Sequence, residues 1–250
     1  MTPLLVLAAI LPGILICLLI YFLDKHEKEG AIPLLITFGL GMLSALPAVG
    51  IQMLAAKTGI DTAPNLGLLL VYVFLVVAFS EELVKLAMVI IYPFRRPFFN
   101  EPMDGIVYTM MVGMGFAVVE NVIYANNYGM ETVLVRSFTA VPAHAIFAVF
   151  MGYFIGLAKF RPNRQKKIIA FGFVLAVIIH GIYDFFILQQ YYEWLMGFGL
   201  LTIIIGTYLS WLLIKDHRDN SPFKETSEVA SNQPEISPMN EDTLPNEESI

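Results

Sequence analysis

Long apolar runs, separated by short polar segments, follow one another from the first residues of the chain to about position 214. Each run holds about 20 mostly apolar residues, the length at which a helix crosses the hydrocarbon core of a bilayer. Seven runs are predicted as membrane-spanning helices, at roughly residues 3–23, 33–55, 66–91, 105–125, 133–158, 168–188 and 194–214. Because the connections are short, we expect an all-α, polytopic transmembrane helix bundle that forms one domain over residues 1–215.

Composition supports a membrane protein over a soluble one. Of the 250 residues, 57% are hydrophobic and 14% are charged, whereas a soluble domain has about 45–50% apolar and about 25% charged residues. The one cysteine, Cys17, excludes an intramolecular disulfide and is predicted to be a packing residue. The first run has no basic segment before it and no cleavage site after it, so we expect a retained helix and not a signal peptide.

The positive charges predict the orientation of the helices in the membrane. Of the fifteen lysines and arginines, twelve lie in the first, third and fifth loops or after the last run. Lys57 and Arg136 fall on the other side, and Lys85 lies inside a run. By the positive-inside rule, the odd loops and the C-terminus are expected in the cytoplasm and the N-terminus outside.

Residues 216–250 differ in composition from the rest of the chain. They carry nine acidic residues against Arg218 and Lys224, and they are rich in Ser, Asn, Pro and Glu. A segment with so few large apolar side chains buries too little surface to offset its ordering entropy, so a disordered acidic tail is predicted. The remainder is nearly neutral, and no nucleic-acid partner is expected.

Ionisable residues inside four of the apolar runs carry the functional signal. Each costs about 2.5–3.5 kcal/mol at mid-membrane, so they are expected to face a shared polar interior. They are Glu81, Glu82 and Lys85 in the third run, Glu120 in the fourth, His144 in the fifth, and His180 and Asp184 in the sixth. A rise of 1.5 Å per residue puts the histidines and glutamates within one or two turns of a common height, with Glu120 and Asp184 towards the outer half.

Each of these groups also has a purely structural interpretation. Glu81 or Glu82 can form an ion pair with Lys85, and the i,i+4 spacing of His180 and Asp184 also permits a pair. Glu120 and His144 can serve as interhelical hydrogen-bonding groups. Nearby, Phe116 is predicted to pack and Asn121 to bond between helices. Because four helices each contribute an ionisable group, structure alone is a weak explanation, and a functional polar site is the better one.

This set suits amide hydrolysis, which needs a water, a base and a group that stabilises the oxyanion. A desolvated glutamate suits the base, and Lys85 is expected to keep one glutamate ionised. Neither a G-x-S-x-G nor an H-E-x-x-H motif is present. If a divalent metal such as zinc is bound, its ligands are expected among Glu81, Glu120, His144 and His180. The spacing does not decide whether a metal is bound, and a metal-free site is the favoured expectation.

The ordered motifs E-E-x-x-K, F-x-x-x-E, a lone His and H-x-x-x-D resemble those of the PrsW family of intramembrane proteases. The charged segment 24–29 and the segments 104–108 and 115–121 also resemble that family, so the likeness covers about residues 20–190. It implies a distant relation to CAAX prenyl endopeptidases, with Glu81 as the water-activating base and Glu82 as its support. By the same analogy His180 contacts water or substrate, and Asp184 stands where some relatives carry an oxyanion-binding Asn. Glu120 occupies the position at which those relatives carry a His.

The resemblance further implies a bacterial plasma membrane and a single-pass membrane protein as substrate. That substrate would be an anti-sigma factor, cut at the first site in a stress response. The residues themselves leave two alternatives open. A proton- or ion-coupled transporter also uses intramembrane Glu, His, Asp and Lys, and a non-catalytic scaffold would bind a partner helix without chemistry.

Overall fold

A computed structural model describes residues 1–225, which fold into helices joined by short connections. The helices are α1 (Pro3–Leu23), α2 (Ala31–Ala56), α3 (Leu66–Val71), α4 (Phe79–Ile91), α5 (Pro102–Phe138), α6 (Ala140–Lys159), α7 (Gln165–Leu188) and α8 (Met196–Asp219). A π-helix, Tyr72–Ala78, joins α3 to α4 in one span. Within residues 1–225, seven helical segments are long and apolar enough to cross a membrane. The predicted seven-span helical membrane protein is therefore confirmed.

The backbone between the fourth and fifth spans differs from the predicted boundaries. It leaves helical geometry at Gly129, where φ is 81°, and again at Thr139. Residues 130–138, the last part of α5, fold back along its earlier turns. Arg136 Nε in this part donates to Asn121 Oδ1 at 2.8 Å. The single span predicted over residues 133–158 is thus interrupted at Thr139. Glycine adopts a positive φ without steric cost, so Gly129 permits the chain to reverse there.

The last helix passes the predicted start of the acidic tail. α8 continues to Asp219, so the first residues of the tail predicted from position 216 are helical. Ser221 follows this helix and is buried, with its hydroxyl donating to Glu101. Residues 226–250, which contain most of the predicted tail, lie outside the described residues.

The central helix of the bundle is α5, which packs against α1, α2 and α6 and is buried along most of its length. Glycines allow α5 and α6 to approach backbone to backbone. A Cβ atom placed on Gly152 would lie 2.4 Å from the carbonyl oxygen of Gly105. Small residues serve this purpose in membrane proteins, where close van der Waals packing drives helix association.

We expect Gly152→Ala to destabilise the bundle by about 1–3 kcal/mol, because the added methyl group would have to push α5 and α6 apart. The measurement is the unfolding midpoint of the purified protein in detergent. Gly39→Ala is the matched control, since nothing lies within 4 Å of a Cβ atom at that position in α2. Equal midpoints for the two variants would contradict the close approach.

Candidate active site

Three ionisable side chains enter the interior from the first turns of α4, directly after the π-helix. Lys85 Nζ lies 2.8 Å from Glu82 Oε1 and 3.4 Å from Glu81 Oε2. Their exposed fractions are 4% for Glu81, 1% for Glu82 and 3% for Lys85. The spacings i,i+3 and i,i+4 place both glutamates within reach of one lysine. The ion pair is therefore present with both glutamates, and π-helical turns of this kind are frequent at functional sites.

His180 of α7 lies among three carboxylates. Its Nδ1 is 2.9 Å from Glu82 Oε1, and its Nε2 is 3.2 Å from Asp184 Oδ2. Glu81 Oε2 is 3.9 Å from the same Nε2. The predicted His180–Asp184 pair is thus present, and it is joined to the glutamates of α4.

His144 of α6 links α4 to α5. Its Nε2 lies 2.8 Å from Glu120 Oε2, and its Nδ1 lies 3.1 Å from Lys85 Nζ. Because an ammonium group only donates hydrogen bonds, Nδ1 is the acceptor nitrogen and Nε2–H donates to Glu120. The two histidine rings are 5.5 Å apart, and Phe147 stacks on His180 with ring centroids 4.4 Å apart.

The structure brings all of the sequence-predicted ionisable residues into one connected group. Phe116 packs beneath it, with Lys85 Nζ 4.1 Å from its ring centroid. Asn121 is fully buried and bonds between helices, since its amide donates to the carbonyl of Ala9 at 3.4 Å. Both neighbours therefore have the packing and bonding roles that the sequence predicts.

Two residues of the site escape sequence reasoning. Gln52 of α2 donates from Nε2 to Glu81 Oε1 at 3.0 Å. Arg136, predicted on the outer side near the start of the fifth run, reaches into the site, with Nη2 2.7 Å from Glu120 Oε2. Apolar residues lie on both sides of Arg136 in the sequence. This pattern could have predicted that Arg136 lies within the helix bundle.

A cavity of about 250 Å³ opens beside these groups. Its ionisable lining residues are Glu81, Glu120, Arg136, His144, His180 and Asp184, and its polar lining also includes Gln52 and the hydroxyl-bearing Tyr72 and Tyr183. Glu82 and Lys85 are not among the described residues that line it. Glu81 is therefore the glutamate of α4 that faces the space a substrate would enter, and Glu82 lies behind it.

Three residues around this cavity form a candidate metal-ligand group. Glu81, His144 and His180 each offer one ligand atom, and these atoms lie within 4.8 Å of one another. One carboxylate and two imidazoles are a donor set typical of catalytic zinc. Glu82 contacts a ring nitrogen of His180 and Glu120 one of His144, as second carboxylates do for metal-binding histidines. The donor types fit a divalent metal, which at His144 would take the Nδ1 atom that Lys85 Nζ contacts at 3.1 Å, so Lys85 would have to move aside. Glu120 lies beside this group and not in it.

We expect Arg136→Met to destabilise the protein by up to about 3 kcal/mol, because it removes one partner of a partly buried carboxylate. Adding Glu120→Gln should restore much of the loss, since no unpaired charge then remains. Unfolding midpoints of both variants measure this coupling. Arg164→Met, at an exposed position, is the control and should change stability by less than about 0.5 kcal/mol. An Arg136→Met midpoint equal to that of Arg164→Met would contradict the pairing.

Comparison with known proteins identifies the family. The family model described as "PrsW family intramembrane metalloprotease" matches residues 29–214. Protease PrsW of Geobacillus kaustophilus strain HTA426 is 34% identical over 200 residues, which cover 80% of this chain and 87% of that protein. Protease PrsW of Bacillus subtilis strain 168 is 32% identical over 189 residues, with coverages of 75% and 84%. No solved structure shows a significant match. The chain therefore belongs to the PrsW family and is an intramembrane protease.

Proposed function

We propose that this protease hydrolyses a peptide bond of a single-pass membrane protein, with water activated by Glu81 in the cavity among α2, α4, α5, α6 and α7. The observation that carries the proposal is the convergence of Glu81, His144 and His180. These residues come from three helices, line one cavity and place their ligand atoms within 4.8 Å of one another.

Glu81 is the group assigned to the water. It lines the cavity, and Gln52 holds its Oε1 through a hydrogen bond of 3.0 Å. Its partner Glu82 lies behind it and accepts from both Lys85 and His180. This arrangement orients the lysine and the imidazole, so we assign Glu82 a positioning role. In a dry interior, groups held in this way act on developing charge without reorganising.

We assign Asp184 to the peptide. Asp184 lines the cavity with a partly exposed carboxyl group and contacts His180 Nε2 at 3.2 Å. A carboxyl group donates a hydrogen bond only in its protonated form. Asp184 would therefore stabilise an oxyanion only as a neutral acid, whereas as a carboxylate it would hold the ring of His180 through Nε2.

We infer that Glu81, His144 and His180 hold a divalent metal, with zinc as the expected ion. The family description and the donor set support this inference and favour it over the metal-free site that the sequence suggested. A bound zinc supplies polarisation of the scissile carbonyl and a more acidic water. Without a metal, Glu81 would act as the base for the water. With a metal, it would serve as a ligand and the metal would make the water more acidic, so the loss of Glu81 is expected to be severe in either case.

Substrate and orientation are further parts of this proposal. Resemblance to the PrsW family suggests an anti-sigma factor cut at its first site, in the plasma membrane of a bacterium. The charge bias of the loops supports an outer N-terminus and a cytoplasmic C-terminus. The curated relatives are bacterial proteins, which agrees with this location.

The test uses the purified full-length protein in liposomes with a model single-pass substrate. We expect cleavage within or beside its membrane segment, detected by mass spectrometry of both fragments. The transporter alternative predicts pH-coupled solute flux through the same liposomes. Flux without cleavage, across a panel of single-pass substrates, would reject the proposed function. Glu131→Gln, at an exposed position, is the control for loss of one carboxylate.

A further inference from the structure

A second group of carboxylates lies at the end of the bundle where the α1–α2 connection meets the start of α5. Ligand atoms of Glu27, Glu101 and Asp104 lie within 4.8 Å of one another. Two more carboxylates of the connection adjoin them, since Asp24 interacts with Glu101 and Glu29 with Asp104. We call these five residues, Asp24, Glu27, Glu29, Glu101 and Asp104, the acidic cluster. None of them belongs to the site described above.

Most of this cluster is withdrawn from water. The exposed fractions are 2% for Asp24, 5% for Glu29, 1% for Glu101 and 0% for Asp104. Burying a carboxylate is costly unless partners compensate for the lost hydration. The hydrogen-bond donors and positive charges around these carboxylates therefore show which of their oxygens lack a partner.

Three of the carboxylates use one oxygen each for the fold. Asp104 Oδ2 accepts from the backbone N–H groups of Asn100 and Glu101, at 2.6 and 2.8 Å. Glu101 Oε2 accepts from the Ser221 hydroxyl, and Glu29 Oε2 accepts from Tyr108. These bonds hold the start of α5, the α1–α2 connection and the segment after α8 together.

With all five groups ionised, one oxygen of every member is buried without a hydrogen-bond donor among residues 1–225. These atoms are Asp24 Oδ2, Glu27 Oε2, Glu29 Oε1, Glu101 Oε1 and Asp104 Oδ1. Only a proton shared between Glu29 and Asp104 would join two of the members. Buried polar atoms in native proteins nearly always have a partner, so five orphaned acceptors in one place indicate a missing one. A single positive group that contacts several oxygens would satisfy them together.

Lys28 and Lys159 interact with the cluster, and both direct their ammonium groups to backbone carbonyls. Lys28 Nζ donates to the carbonyl oxygens of Tyr21 and Asp24. Lys159 Nζ donates to the carbonyl oxygen of Phe94. Their charges act on Asp24 and Asp104, but neither ammonium group donates a hydrogen bond to an orphaned carboxylate oxygen.

We propose that the acidic cluster is a binding site for a hard divalent cation of the Mg²⁺ or Ca²⁺ class. Such ions take oxygen ligands, and Ca²⁺–oxygen distances of about 2.3–2.6 Å allow ligands of one ion to lie up to about 4.6–5.2 Å apart. The ligand atoms of Glu27, Glu101 and Asp104, which lie within 4.8 Å of one another, can therefore reach one ion. The donor set contains only oxygen, whereas the group at Glu81 includes two imidazoles. The two sites should therefore select different metals.

The electrostatics of the cluster agree with a cation. Burial raises the pKa of Asp24 to about 7, and the charge of Glu101 adds to the effect. Burial also raises the pKa of Glu29 and that of Glu101 above their ordinary values. A bound dication would hold these groups in their ionised form and would displace protons on binding.

The binding test uses Mn²⁺ as a paramagnetic probe of the full-length protein in detergent. The Glu81→Gln, His144→Ala and His180→Ala substitutions are combined in the background, so that failure of the proposed function does not affect the result. We expect one Mn²⁺ per chain, displaced by Mg²⁺ or Ca²⁺. Glu27→Gln and Asp104→Asn should each weaken binding on the order of 10–100-fold. Glu131→Gln should leave it unchanged.

A stability measurement separates a ligand site from a merely structural cluster. In EDTA, Glu27→Gln should be at least as stable as the parent, because it removes one of several repelling charges. At a hundredfold excess of cation over Kd, the parent midpoint should rise by about 5–10 °C, and that of Glu27→Gln much less. Glu27 is only half-buried and caps no helix, so this variant should fold even if Asp104→Asn does not. The absence of saturable Mn²⁺ binding, or equal cation shifts in parent and variant, would overturn the proposal.

Discussion

Replacing Glu81 with glutamine is expected to lower the rate of substrate cleavage by about 10²–10⁴-fold, the range typical for loss of a general base. The amide has nearly the shape of the carboxylate but neither accepts a proton at neutral pH nor serves as an anionic ligand. It keeps an oxygen for the bond from Gln52, which lies 3.0 Å from Glu81 Oε1. We therefore expect a folded bundle with almost no activity, measured by initial rates on a single-pass substrate.

The control for this prediction separates chemistry from folding. Glu131→Gln removes an exposed carboxylate and should retain the parent rate. Glu82→Gln should lower stability as well as activity, because Glu82 is fully buried and binds both Lys85 and His180. A Glu81→Gln protein that cleaves at the parent rate would refute the assigned role.

The second large effect is expected at the two histidines. His144→Ala or His180→Ala should each abolish stoichiometric zinc and should also reduce cleavage to background. Each substitution removes one of three ligand atoms that lie within 4.8 Å of one another, and a site with two protein ligands binds zinc weakly. Elemental analysis of protein purified without added metal measures the first effect, and substrate cleavage measures the second.

Graded and control variants sharpen this test. Glu120→Gln should reduce metal affinity or activity by about 10–100-fold, because Glu120 orients His144 through a contact of 2.8 Å and is not itself in the ligand group. His217→Gln should retain the metal, since His217 contacts the carbonyl oxygen of Pro102, away from these ligands. Full activity of metal-free protein in the presence of a chelator would exclude a catalytic metal. That outcome would leave the Glu81→Gln prediction standing.

Much of the fold follows from the sequence because the bilayer imposes simple rules. An apolar run of about 20 residues crosses the hydrocarbon core, where no water is present to hydrogen-bond the backbone. Its N–H and C=O groups must therefore pair within the run, which makes it a helix. The same rule made His144, His180 and the glutamates conspicuous, since a charged group facing lipid is costly. Regular helical rise then placed these residues at similar heights, and the structure confirms that they meet.

Other features needed the tertiary structure. Arg136 lies in a segment whose direction depends on the left-handed backbone at Gly129, and apolar periodicity carries no information about such a reversal. Nothing in the sequence around Gln52 predicts a role in the site. Only the packing of α2 against α4 brings its amide into hydrogen-bonding contact with Glu81. The acidic cluster joins Glu27 to Glu101, which are distant in sequence. Helix length and burial cost are local properties that residues specify by themselves, whereas partners across helices depend on how the whole bundle packs.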